Sequence, residues 1–340
     1  MKKNFLFITI SVLVLGTMIL AACATAAPTA APTAVPTEAP TAAPTAIPYV
    51  ECGTADNPCV ITFVPSGDSG KITVAGQAIA DWLNTKTGLS FQVEVGTSFG
   101  ASIEAMGGEK AQIGFLNTFS ILLAEQKYGV VPVLANLRKY ATNSVDPDKD
   151  LGTKMEPFYK AEFLTKADSG IKTLADLKGK TFCFVDPNST SGYIVPRILM
   201  KAAGVDPDTD ITAINAGSHP NVAIGVYKGD CDAGVAYIDI LTDSAANLAA
   251  TYPDIATKVV AFMDSDKIPN DGVQVIKNLD PKITDAVVNG LLDMSADPDG
   301  AALLKNLYNV TAVEKIDANF YDDFAAILKA AGVDPATLVK

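Results

Sequence analysis

The residues best suited to chemistry lie in one short run, Phe184-Val-Asp-Pro-Asn-Ser-Thr-Ser-Gly-Tyr193. An apolar, strand-like stretch runs into Asp-Pro and then into three hydroxyl residues, Ser189, Thr190 and Ser191, followed by Gly192. A helix opening there presents unpaired backbone N–H groups and the positive end of its dipole, which attract a phosphate-like anion without help from lysine or arginine. The hydroxyls add donors, and the glycine lets the backbone come close to a ligand. Proline is tolerated near the first turn of a helix, so Pro196 places the helix start just after Ser189. The same residues equally fit a helix that is only capped by Ser or Thr and holds no ligand.

Other chemistries are poorly supplied. His219 is the only histidine in 340 residues, which removes the two-histidine zinc motifs and makes a metal site a poor expectation. A lone histidine is more often structural than a ligand contact. Gly67-Asp-Ser-Gly70 mimics the nucleophile signature of trypsin-like proteases. Its only available base is His219, in the wrong chain order for that family, so a Ser-dependent hydrolase is a remote alternative and no enzyme is expected. With 26 basic residues against 38 acidic ones the net charge is −12, which argues against nucleic acid as a partner. No cofactor is implied.

The first fifty positions address the chain. Lys2 and Lys3 precede a largely apolar run, Phe5 to Leu20, that ends in Leu20-Ala21-Ala22-Cys23. This reads as a signal peptide over 1–22, and it resembles the lipobox of bacterial lipoproteins, which implies lipidation of Cys23. Pro then recurs at 28, 32, 36, 40, 44 and 48, and Thr at 25, 29, 33, 37, 41 and 45. Such a tract, 23–48, makes an extended tether of roughly 75 Å. The expected localisation is extracytoplasmic, with the membrane reached through lipid alone. Of the remaining cysteines, Cys52 and Cys59 bracket a turn-rich hexapeptide and make a natural staple. Cys183 and Cys231 read either as a second bridge or as two buried thiols.

Positioning elements follow from apolar periodicity. Strands are expected at Val60–Val64, Phe91–Val95, Ala111–Leu116, Thr181–Val185 and Ile211–Asn215, with two more near Val259–Met263 and Val273–Ile276. Helices are expected at Lys71–Thr87, Ser98–Met106, Phe119–Lys127, from about Ser191, and at Lys282–Met294, Ala301–Leu307 and Tyr321–Ala331. Strand–helix alternation gives α/β sheets flanked by helices, and about 290 residues after the tether suit two lobes.

The run from Asp168 to Pro196 closely resembles the PhnD-like phosphate/phosphite/phosphonate-binding proteins of ABC transporters. The likeness extends to Phe63-Val-Pro-Ser66, Ile103-Glu-Ala-Met106, Ile113-Gly-Phe-Leu116, Gly217-Ser-His219 and Gly229-Asp-Cys-Asp-Ala-Gly234. It implies a two-lobed type 2 periplasmic-binding-protein fold, each lobe a mixed, mostly parallel sheet flanked by helices, joined by a two-strand hinge. Lobe 1 is expected at 49–160 and 268–340, lobe 2 at 161–267. The resemblance also implies a monomer that delivers a small anion to permease subunits. It assigns the oxyanion to Ser189, Thr190, Ser191 and His219, while Phe99 and Tyr237 line the cleft. Phosphite, phosphate or a small alkylphosphonate is the expected ligand, because relatives' tyrosines are replaced by Phe99 and by Asn117-Thr-Phe-Ser-Ile121. The acidic residues that meet a ligand amine in relatives are replaced by Tyr237-Ile238, with Asp239 one step on. Another small solute, or a ligand-sensing lipoprotein, is the alternative.

Overall fold

The computed structural model describes residues 48–139, 145 and 155–334. The expected signal peptide, Cys23 and the tether up to residue 47 lie outside the described residues. The chain runs β1 (Cys59–Phe63), α1 (Ser69–Thr87), β2 (Phe91–Val95), α2 (Phe99–Gly107), β3 (Ile113–Leu116), α3 (Thr118–Tyr128) and β4 (Val131–Leu137). It continues through β5 (Phe158–Tyr159), β6 (Ala161–Lys166), a 3-10 turn (Leu174–Leu177), β7 (Thr181–Phe184), a π-helical turn (Thr190–Ile194), α4 (Val195–Ala202) and β8 (Thr212–Asn215). Then come α5 (His219–Lys228), β9 (Ala233–Tyr237), a 3-10 turn (Leu248–Ala250), α6 (Ile255–Lys258), β10 (Val259–Asp264), β11 (Ile268–Pro269) and β12 (Gly272–Val275). The described chain closes with α7 (Pro281–Ala296), α8 (Pro298–Tyr308), β13 (Ala312–Lys315) and α9 (Asp322–Ala330).

These elements form two main sheets, β13-β4-β12-β3-β1-β2 and β10-β6-β9-β7-β8, and a two-stranded one, β11-β5. Both main sheets are mixed, but parallel pairs are not the majority expected from the alternation. In the first sheet β1 pairs in parallel with β2 and β3, while β12–β3, β12–β4 and β13–β4 are antiparallel. In the second, β7–β8 and β7–β9 are parallel, and β6–β9 and β10–β6 antiparallel. The reason is topological. Parallel pairs come from strand–helix–strand crossovers, whereas β4, β6, β10 and β12 carry the chain between sheets and run against their neighbours. The two passages meet at β5 and β11, where Tyr159 opposes Ile268 and Phe158 opposes Pro269.

Buried faces explain the local choices. Strand β3 is buried along its whole length and β1 nearly so, as befits strands covered by helices on both faces. Helix α1 is started by Asp68, whose carboxylate accepts from Lys71 N at 2.9 Å, and stopped by left-handed Gly88. It buries Ile72, Ala75, Ile79 and Leu83 at helical spacing. Gly76 has to be small, because a Cβ there would sit 2.8 Å from the Phe63 ring. Helices α7 and α8 pack on α1, and β13 joins the first sheet. The sulfurs of Cys52 and Cys59 are bonded, as are those of Cys183 and Cys231, the latter tying β7 to the turn before β9. Among the described residues no helix is long and apolar enough to cross a membrane.

Candidate functional site

Four helical starts enter the wall of one cavity of about 900 Å³: Gly67–Lys71 before and at α1, Ser98 and Phe99 at α2, Ser189 and Ser191 at the π-helical turn, and Ser218 and His219 at α5. Each brings unpaired N–H groups and the positive end of a peptide dipole to the same space, so the cavity favours an anion before any side chain is counted. Serines shape three of those starts. Ser98 Oγ accepts from Ala101 N at 3.1 Å and Ser189 Oγ from Gly192 N at 3.2 Å, while Ser218 makes no side-chain cap bond.

The π-helical turn is the local device at the centre. Ile194 N donates to Ser189 O at 3.0 Å, five residues back, and regular α geometry resumes at Val195 with Pro196 in its first turn. Such wide turns recur at functional sites. Gly192 is required by space, since a Cβ would fall 2.4 Å from Val185 Cγ2 and 2.8 Å from Ser189 Oγ. Ser189 and Ser191 line the cavity, each 1% exposed. Thr190 does not. Its Oγ1 faces the first sheet, accepting from Asn117 Nδ2 at 2.8 Å and Phe119 N at 2.8 Å. Its oxygen thus accepts from two donors across the molecule and joins the two halves, while its own O–H remains a donor.

His219 is buried, with Nε2 3.5 Å from Ser189 Oγ and Nδ1 accepting from Tyr237 N at 3.1 Å. A ring whose Nδ1 accepts carries its proton on Nε2, so the donor edge faces Ser189. Burial, helped by the charge of Arg138, pushes its pKa down from 6.5 to about 3, and the imidazole is a neutral donor at ordinary pH. Tyr237 lines the cavity, packs on the imidazole with ring centroids 4.8 Å apart, and sends its hydroxyl to Asp243 Oδ2 at 2.7 Å. Phe99 is a buried part of the wall, and its backbone N–H holds the Asp186 carboxylate.

The sequence reading missed the cavity's charged pair. Arg138, just after β4, meets Asp271, just before β12, with Nη2 3.0 Å from Oδ2 and side chains only 6% and 16% exposed. Both line the cavity. A site built without arginine or lysine, as the helix start alone predicts, is thus corrected: a buried guanidinium sits beside it, and Lys71 also reaches the rim. Tyr308 was missed as well; it lines the cavity and donates to Val64 O at 2.6 Å. The one available signal was scarcity, since Arg138 and Arg197 are the only arginines.

Residues 61–321 match the family model described as the periplasmic substrate-binding protein of phosphonate ABC transporters. The chain belongs to this family. Its members are solute-binding proteins that work with ABC permeases outside the cytoplasm, not enzymes. Among curated relatives, the phosphate-import protein PhnD of Mycolicibacterium smegmatis is 28% identical over 188 residues, 53% of this chain and 54% of that protein. The phosphonates-binding periplasmic protein of Escherichia coli is 28% identical over 159 residues, 44% and 45% of the respective chains. The chain thus spans about half the length of the curated relatives it matches. A binding protein component of a Pseudomonas aeruginosa ABC phosphonate transporter superposes with TM-score 0.65 at 19% identity, covering 82% of this chain and 96% of that one. Prochlorococcus marinus PhnD1, solved with methylphosphonate, gives 0.67 at 14%, covering 81% and 98%. These show the type 2 periplasmic-binding-protein fold.

Asn117, at the start of α3, ties the two halves together. Asn117 Nδ2 spans to the far side, donating to Asn188 O at 2.9 Å besides Thr190. Asp239 lies away from the main cavity, with its N–H on Glu162 Oε2 at 3.1 Å.

Proposed function

We propose that this chain captures a phosphorus oxyanion, namely phosphite, phosphate or a small alkylphosphonate, for an ABC importer, held outside the cytoplasm by lipid on Cys23 and the tether that follows. Residues 49–160 with 268–340 act as one lobe and 161–267 as the other, and the two close on the ligand as a monomer. The observation that carries this reading is the meeting of Ser189, Ser191 and the neutral Nε2–H of His219 with four helix starts in one cavity. Neutral donors at a preformed site reward negative charge on tetrahedral oxygens. The cavity of about 900 Å³ exceeds a small oxyanion and has Ile224, Leu248 and Tyr252 in its wall as well, which favours, as a second reading, a phosphonate with a larger substituent. Thermal-shift and calorimetric titration of residues 49–340 with phosphate, phosphite, methylphosphonate and 2-aminoethylphosphonate tests both, since a ligand at a hundred times its Kd adds about 2.7 kcal/mol. Absence of a shift with every phosphorus oxyanion refutes the assignment.

A further inference from the structure

We propose that Asp243 is a positioning residue that ties the oxyanion donor His219 to a latch at the rim of the cavity, where Lys71 sets how long the ligand stays. This rests on the function proposed above. Lys71 stands in the first turn of α1, which packs on β1 and β2 of the first sheet. Its Nζ donates to Ala246 O at 3.1 Å and to Ala245 O at 3.4 Å, in the segment that follows β9 of the second sheet. Lys71, Ala245 and Ala246 all line the cavity, so the contact bridges two of its walls. A charged donor makes one of the stronger hydrogen bonds. Lys71 is exposed, however, and a long exposed side chain gains from such a bond only where the acceptors are held in place.

Asp243 holds them. It is buried and stands outside the cavity wall. Its Oδ1 accepts from Ala245 N at 2.6 Å and from Ala246 N at 3.4 Å. Its backbone closes the turn, with Asp243 N on Asp239 O at 2.9 Å and Asn247 N on Asp243 O at 2.8 Å. A local Asx turn needs no more than Oδ1. Oδ2 is engaged elsewhere, accepting from the Tyr237 hydroxyl at 2.7 Å. Tyr237 in turn gives its N–H to His219 Nδ1 at 3.1 Å and packs its ring on the imidazole. One carboxylate therefore joins the carbonyls that receive Lys71 to the residue that fixes the His219 proton. A shift of the 245–247 segment reaches His219 through Tyr237, and a rearrangement at His219 reaches Lys71 by the same contacts.

The test is a double-mutant cycle between Lys71 and Tyr237, which share no hydrogen bond among the described residues, since only such a cycle measures coupling through intermediates. In the full chain, the dissociation rate of methylphosphonate is read by stopped-flow displacement, and the melting temperature without ligand by calorimetry. Lys71→Met and Tyr237→Phe are each expected to speed dissociation about three- to tenfold. The double variant should be about as fast as the faster single one, because either change disables the same latch, and the losses in melting temperature should likewise be less than additive. Asp243→Asn, with one acceptor oxygen in place of two, should match the double variant. If that variant does not fold, the Lys71–Tyr237 cycle decides alone. Rates that multiply in the double variant, or unchanged dissociation in Lys71→Met, overturn the proposal and leave Asp243 a turn-forming residue only. If no phosphorus oxyanion binds the wild-type chain, the proposed function falls while the melting cycle still decides the latch: sub-additive losses support it and additive losses overturn it.

Discussion

His219 gives an anion one hydrogen bond and no charge, because burial denies it a second proton and Tyr237 N fixes the first on Nε2. Hydrogen bonds to charged partners contribute about 1.5–3 kcal/mol, so His219→Ala should weaken oxyanion binding by roughly ten- to a hundredfold in calorimetry. His219→Gln, which retains a side-chain donor, should recover part of that loss. Since the chain has a single histidine, one imidazole signal reports its state, and NMR should find it neutral from pH 8 down to about pH 4. Titration near 6.5 would mean an exposed ring. Thr190 makes a different prediction. Thr190→Val leaves Phe119 N without its acceptor and Asn117 with one partner fewer, at a cost of about 1–3 kcal/mol. The loss falls on the joined state of the two halves, so affinity should drop while small-angle scattering shows a more open molecule. At this scale the three hydroxyls and the glycine were legible, because a helix start is written in consecutive residues. The division of labour among them was not, since the partners of Thr190 lie 71 and 73 residues away. Arg138 and Asp271 were invisible for the same reason: their pairing spans 133 residues, and Asn-Asp-Gly at 270–272 reads as an ordinary turn.

Among the elements, the π-helical turn is the one on which the site depends. Its wide turn holds Gly192 against Val185 and Ser189, so Gly192→Ala forces either the strand end or the Ser189 rotamer to move. Overpacking of this kind costs about 1–3 kcal/mol. Chemical denaturation should register that loss, and oxyanion affinity should fall with it. Unchanged affinity would separate the turn's geometry from binding. Strong patterns predicted most helices and the strands β1, β2, β3, β7, β8, β10 and β12 within a few residues. The inner strands β4 and β6, which carry the chain between the sheets, escaped, and so did other elements. The hinge strands β5 and β11 have two residues each, too few for any periodicity. β13 is only partly buried along Ala-Val-Glu-Lys and exists because the edge of β4 is there to pair with. α5 opens on Ser-His-Pro-Asn, which reads as a turn until Ser66 O receives the His219 N–H at 3.1 Å.

For the molecule as a whole, two buried groups set opposing responses to acid and base. His219 has its pKa lowered from 6.5 to about 3. The unfolded chain binds that proton more readily, so stability is lost as pH falls from 6.5 towards 3. Glu162, on β6 in the second sheet, behaves oppositely. Burial, aided by the nearby charges of Asp264 and Asp239, raises it from 4.5 to about 8. Here the folded state keeps its proton longer, so stability declines as pH rises from 4.5 to 8. Between 4.5 and 6.5 the two slopes oppose each other, and Asp271, whose pKa burial also raises, works in the same direction as Glu162. At about 1.36 kcal/mol per pH unit, Glu162 should cost roughly 2 kcal/mol between pH 6.5 and 8, and His219 a similar amount between pH 4.5 and 3. Thermal melts across pH should therefore show a shoulder of stability in the mildly acidic range. Glu162→Gln keeps an oxygen for Asp239 N and should flatten the alkaline limb without touching oxyanion affinity, because Glu162 lies outside the cavity that holds Ser189 and His219. If that variant melts with an unchanged alkaline slope, the buried carboxyl is not what limits the fold at high pH.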